Sequence, residues 1–146
     1  MKHCYKKILF GFALILISTI SFGQSKPSKT NWDKLIVGKW INKSNKTIDG
    51  DEFKEAECRD TIQYLSNGKY LSDQCTWKAD GKWKLSNDKK YIIHYDINSD
   101  YWRKILGTDD LGESRSEIIS ISESQFVKVI YSEDQGEIHR FYQRIE

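Results

Sequence analysis

The chain has 146 residues, 30% of them charged, and its 23 basic against 21 acidic residues give a formal net charge of +2. Lys2, Lys6 and Lys7 fall in an N-terminal segment that reads as removable, which leaves 20 basic against 21 acidic residues and a mature charge near −1. Such a chain lacks the clustered positive surface that phosphate binding needs, so nucleic acid is not an expected partner, and the length fits one domain that buries its own core without a metal.

Residues 1–23 read as a secretory signal peptide. The three lysines form a positive start, Ile8 to Ile20 is apolar, and Ser21-Phe22-Gly23 ends small before a cut expected ahead of Gln24. The apolar run of about 13 residues is short of the roughly 20 that a spanning helix needs, so the mature protein is expected in the periplasm or outside the cell and not as a membrane span. Cys4 leaves with the signal, and no cysteine follows the apolar run to carry a lipid anchor. Residues 24–31, QSKPSKTN with the single proline, read as a flexible leader, and residues 32–146 as one domain.

Beyond the leader, short alternating runs bounded by turn residues recur, and no helical period is sustained. Trp32 to Ile41 reads as a helical turn entering a strand through Gly38. Ala56 to Leu65 and Lys69 to Trp77 read as a hairpin on Asn67-Gly68, the strongest two-residue turn signal. That register sets Tyr64 opposite Leu71, Asp60 opposite Cys75 and Cys58 opposite Trp77, with the two cysteines diagonal neighbours. An even pair of cysteines in an oxidising compartment is expected to form a disulfide, which at this spacing stabilises by about 3 kcal/mol. A metal is not expected, because Cys58, Cys75, His94 and His139 lack the close ligand spacing of zinc sites. Asp60 faces inward in this register, and a buried carboxylate needs a partner, either Arg140 or Arg144.

A second hairpin is expected to turn at Ala79-Asp80-Gly81, setting Trp77 opposite Trp83. Tyr91 to Ile97 then places Tyr91, Ile93, Tyr95 and Ile97 on the inner face and His94 on the solvent face. Residues 98–114 read either as a short strand around Trp102 to Leu106 or as a loop over a barrel mouth. Arg115 to Ser122, Gln125 to Tyr131 and Glu137 to Ile145 complete the set, with Ile119, Ile121, Val127, Val129 and Tyr131 inward. About eight sequential antiparallel strands, each with one apolar face, favour an all-β up-and-down barrel, with a two-sheet β-sandwich as the alternative.

Gly38-Lys39-Trp40, together with an arginine on the last strand at Arg140 or Arg144, resembles the lipocalin signature. The order of further elements is similar to that of small secreted lipocalin-like domains of Gram-negative bacteria. These are Leu35 before Gly38 and Trp40, Cys58 with Asp60, then Asn67, Gly68 and Tyr70, Cys75, Gly81 with Trp83, and Tyr142 with Arg144. The resemblance implies structural roles for Gly38, Trp40 and Arg144, with Trp40 plugging one end of the barrel under a last-strand arginine. It also implies an apolar ligand, for which the inward aromatics Tyr64, Trp77, Trp83, Tyr95, Trp102 and Tyr131 are the candidate contacts.

No nucleophile elbow, zinc-protease helix, phosphate loop or dinucleotide loop appears, so the chain reads as non-enzymatic and without a cofactor. A hydrolase or isomerase would require His139 and an acid to converge inside a wet cavity. The main expectation is an exported protein binding a small apolar or amphipathic ligand. The alternative is a barrel filled by its own aromatics that engages another envelope or extracellular macromolecule through its loops.

Overall fold

The computed structural model describes residues 31–146, so the expected signal peptide and nearly all of the leader lie outside the described residues. The elements run α1 (Trp32–Ile36), β1 (Gly38–Thr47), β2 (Lys54–Glu55), β3 (Thr61–Tyr64), β4 (Lys69–Gln74) and β5 (Trp77–Leu85). They continue with β6 (Tyr91–Asn98), α2 (Asp100–Leu106), β7 (Ser114–Ile121), β8 (Gln125–Ser132) and β9 (Gly136–Arg144). Every strand pairs antiparallel with its neighbour from β3 to β9, and β1 pairs with both β3 and β9, which closes an eight-stranded meander. The two-residue β2 is an addition beside the outer half of β1. Closure leaves no long unpaired edge, and it rules out the two-sheet sandwich.

Several strand faces differ from those read in the sequence, and each difference has a local cause. The β3–β4 connection is the three-residue loop Ser66-Asn67-Gly68, closed by Gly68 donating to Leu65 O at 3.0 Å with Gly68 at φ +80°. One extra loop residue shifts the pairing by one, so Tyr64 faces Tyr70 and Leu71 faces Gln63 on the exposed side. Cys58 lies outside β3, so the expected Cys58–Trp77 and Asp60–Cys75 strand pairings do not form.

No turn occurs at Ala79-Asp80-Gly81. β5 runs straight through it, the reversal comes earlier between Gln74 and Trp77, and Trp77 and Trp83 share one strand rather than facing each other. Gly81 serves close approach instead of a turn, since a Cβ there would meet Asp96 O at 2.8 Å and Tyr70 Cε1 at 2.9 Å. In β6 the register puts His94 opposite Trp83, which brings Ile92 and His94 inward and turns Tyr91, Ile93 and Tyr95 away. Asp96, at φ +50° beside a bulge, then returns Ile97 to the interior.

A bulge between Ile118 and Ser120 likewise makes Ile118 and Ile121 the buried pair of β7 and leaves Ile119 exposed. In β8 the inward residues are Phe126, Lys128 and Ile130; Val127, Val129 and Tyr131 occupy the other face, Val129 buried and Tyr131 73% exposed. Residues 100–106 form a helix, neither strand nor loop. Its first turn carries Asp100, its last carries Arg103 and Lys104, and Gly107 ends it in the left-handed region at φ +66°.

One end of the barrel is filled. Trp40 is fully buried, 5.5 Å from the Phe126 ring, and Phe126 packs in turn on Tyr142. The Trp40 indole donates to Ile36 O at 2.8 Å, which ties the plug to α1. Arg144, not Arg140, lies over the Trp40 ring at 4.2 Å and donates to the carbonyls of Leu35, Val37 and Glu123. Gly38 sits beneath that guanidinium at φ +145°, where a Cβ would collide with it.

Candidate functional site

The other end is hollow. A cavity of about 430 Å³ lies between the plug and α2, with Trp102 and Leu106 of the helix over it and Trp77, Ile62 and Ile130 in its walls. Trp77 and Trp102 meet edge to face at 5.5 Å, and Tyr101 stacks on the outer side of Trp77 at 6.4 Å. The helix is held over the mouth by this aromatic contact and by Ser99 Oγ, which donates to Lys78 O at 2.8 Å.

Below the aromatic rim the wall turns polar. His94 comes from β6, Ser114 and Ser116 from β7, Lys128 from β8 and Arg140 from β9. His94 Nε2 and the Tyr64 hydroxyl are hydrogen-bonded at 3.1 Å, and the imidazole also packs on Tyr70 at 4.5 Å between centroids. Burial, with a smaller push from Lys128, drives His94 down to about 3, so the imidazole is neutral at physiological pH. Burial raises Tyr64 well above the ordinary phenol range and Tyr70 to about 12. This group forms an uncharged cluster at the inner end of the cavity.

Lys128 is 5% exposed, and its ammonium lies 5.4 Å above the Tyr142 ring. Burial first, and then the Arg140 guanidinium, push it down to about 7, against a weaker upward pull from Asp60. Arg140 donates to Asp60 Oδ2 at 3.2 Å and to Gln74 Oε1 at 3.5 Å, while its buried Nε has no partner. Asp60 reaches Arg140 because the exposed Cys58–Cys75 disulfide, with Cα atoms 6.0 Å apart, pins the segment before β3 to the β4–β5 turn. With both sulfurs spent on that bond, no thiolate is left beside Asp60 for a metal.

Of the six aromatics named as ligand contacts, Trp77 and Trp102 line the cavity and Tyr131 stands at its rim. Tyr64 and Trp83 belong to the packed region, where their rings meet at 5.3 Å and the Trp83 indole donates to Leu65 O at 3.0 Å. Tyr95 faces outward under Lys84. His94, expected in solvent, is inside. His139 is 2.7 Å from Glu137, and neither lines the cavity. Lys128 was missed altogether. Its signal was Phe126 two residues earlier, because taking that large ring as inward also turns Lys128 in.

Among the described residues no helix is long and apolar enough to cross a membrane. No family model matches the chain, and no curated protein is significantly similar to it. Solved structures do share its architecture. A lipocalin-like protein from Bacteroides uniformis aligns with a TM-score of 0.50 and 11% identity over 75% of this chain and 98% of its own. An uncharacterized protein from Bacteroides eggerthii aligns with a TM-score of 0.50 and 14% identity over 75% of this chain and 99% of its own. At these identities the shared property is the fold, a closed lipocalin-like antiparallel barrel.

Proposed function

We propose that the protein is a non-enzymatic binding protein that works outside the cytoplasm and holds one small amphipathic molecule in the open half of its barrel. The observation that carries this reading is the asymmetry of the interior: a plug at one end and a cavity of about 430 Å³ at the other, apolar at the rim and polar below. A concave, mostly apolar site with a few convergent polar groups is the usual form of a small-molecule pocket. The disulfide supports an oxidising compartment, as does the signal-like pattern of residues 1–23.

The test is native against denatured mass spectrometry of the mature chain purified from its own host. A small-molecule mass present only in the native spectrum is the expected result, and a bare mass in both spectra overturns the reading. A second reading rests on α2, which leaves Tyr101, Ile105 and Leu106 exposed beside the mouth. On that reading the helix docks a protein partner, and a bare mass directs the search there.

A further inference from the structure

We propose that the cavity takes its ligand as an anion, an alkyl acid whose head lies between Lys128 and Arg140 and whose tail runs up past Trp77 and Trp102. This rests on the binding reading above and adds the ligand's charge. Lys128 and Arg140 are direct cross-strand partners on β8 and β9, and both line the cavity. Like charges set opposite each other in a sheet repel, and burial strips them of the water that would screen them. The carboxylate beside them is Asp60, whose Oδ2 is already held by Arg140, so the pair carries one cation in excess.

The hydrogen-bonding inventory is as lopsided as the charge. Among the described residues Lys128 makes no hydrogen bond or ion pair, and its one polar contact is with the Tyr142 ring. The buried Nε of Arg140 is also without an acceptor. Lysine and arginine only donate, and the nearby Ser114 and Ser116 hydroxyls can donate as well. A carboxylate brings acceptor oxygens and the missing negative charge in one group, and charge-assisted bonds of this kind are about twice as strong as neutral ones. A neutral head leaves the cation excess in place, and an amine increases it.

Binding of an acid also returns a proton to Lys128. The groups facing it are Arg140 and Tyr142 on β9, Asp60 from the segment before β3, and His94 on β6; β7 presents the non-titrating Ser116 and Ile118. With its free pKa near 7, Lys128 loses its charge as pH rises above that value, and the attraction for an acid goes with it.

The experiment titrates the disulfide-intact mature chain with dodecanoate, dodecanol and dodecylamine, following fluorescence of Trp77 and Trp102. At about pH 6, dodecanoate is expected to bind at least about tenfold more tightly than dodecanol, with dodecylamine weakest. Raising the pH to about 9 should erase most of the acid's advantage. Lys128→Met should bring dodecanoate down to the level of dodecanol, with Lys128→Gln as the second variant if the first misfolds. Equal binding of dodecanoate and dodecanol, or a preference for the acid that survives both substitutions, overturns the anion assignment while the binding reading stands. Failure of all three probes overturns both.

Discussion

The two ends of this barrel are built from the same alternating strands and reach opposite solutions. At the closed end the large buried polar groups have partners, the Trp40 indole at Ile36 O, Trp83 at Leu65 O, and the Arg144 guanidinium at three carbonyls and a ring face, while the small Asn42 Oδ1 has none. At the open end the Nε of Arg140 is buried without a partner, and Lys128, 5% exposed and facing the cavity, has only the Tyr142 ring. Partnered groups make a structural core; unpartnered ones cost stability and are kept where something else completes them. The contrast ties stability to the closed end and is what the proposed binding role of the open end rests on.

Substitutions separate the two ends. Trp40→Ala should cost about 3 to 5 kcal/mol in urea unfolding, the usual range for truncating a fully buried aromatic. A loss below about 1 kcal/mol would mean that the plug does not hold the barrel. Cys58→Ser should cost about 3 kcal/mol in the same assay from loop entropy alone, and it should also loosen Asp60 from Arg140.

Acid should weaken the fold through His94. Its folded pKa near 3 lies below the unfolded value near 6.5, so between these the unfolded chain binds the extra proton. Stability from this group is therefore full above about 6.5 and declines by at most about 1.4 kcal/mol per pH unit as pH falls, a slope that His94→Gln should remove.

Substitution of Lys128 should act in the opposite sense to that of Trp40 or Cys58, while its pH dependence has the same sign as that of His94. Without ligand, Lys128→Met is expected to stabilise by about 1 to 2 kcal/mol at about pH 6, because it removes an uncompensated buried cation. The folded pKa near 7 lies below the unfolded 10.5, so the penalty is fully present under about 7 and fades as pH approaches 10.5. The gain from the substitution should fade with it, which unfolding curves at several pH values will read. Smallest of all, Ile105→Ser on the exposed side of α2 should stay within about 0.5 kcal/mol, while any partner docking on that helix would be weakened.

The closed end was largely legible in the sequence, because its features are local or of unmistakable size. Gly38 and Trp40 are two residues apart, and the arginine that covers Trp40 came down to two choices on one strand. At the open end the Cys58–Cys75 bond, the Asp60–Arg140 pair and Trp77 and Trp102 were legible, but the inward faces of the strands were not, because they depend on strand parity. A third residue in the Asn67-Gly68 turn and bulges near Asp96 and Ile119 each reverse which side chains face inward, and none leaves a strong mark in composition. In β8 the apolar Val127 and Val129 mimic an inner face, which hid Lys128. In β6 the alternating Tyr91, Ile93, Tyr95 and Ile97 mimic an inner face, which left His94 on the solvent side. Helix α2, with seven residues, is too short to show a period.

The seam between β1 and β9 has a consequence for how the chain is made. Lys39 donates to Glu146 O at 2.9 Å, Ile145 donates back to Lys39 O at 2.8 Å, and Arg144 grips the residues just before β1. β1 is thus completed by β9, and the residues that lock the plug come more than a hundred positions after the ones they cover. Such long-range pairing is slow to form, and it leaves the barrel open until β9 is available. A chain built this way cannot close its barrel before β9 has been made, however early β1 is available.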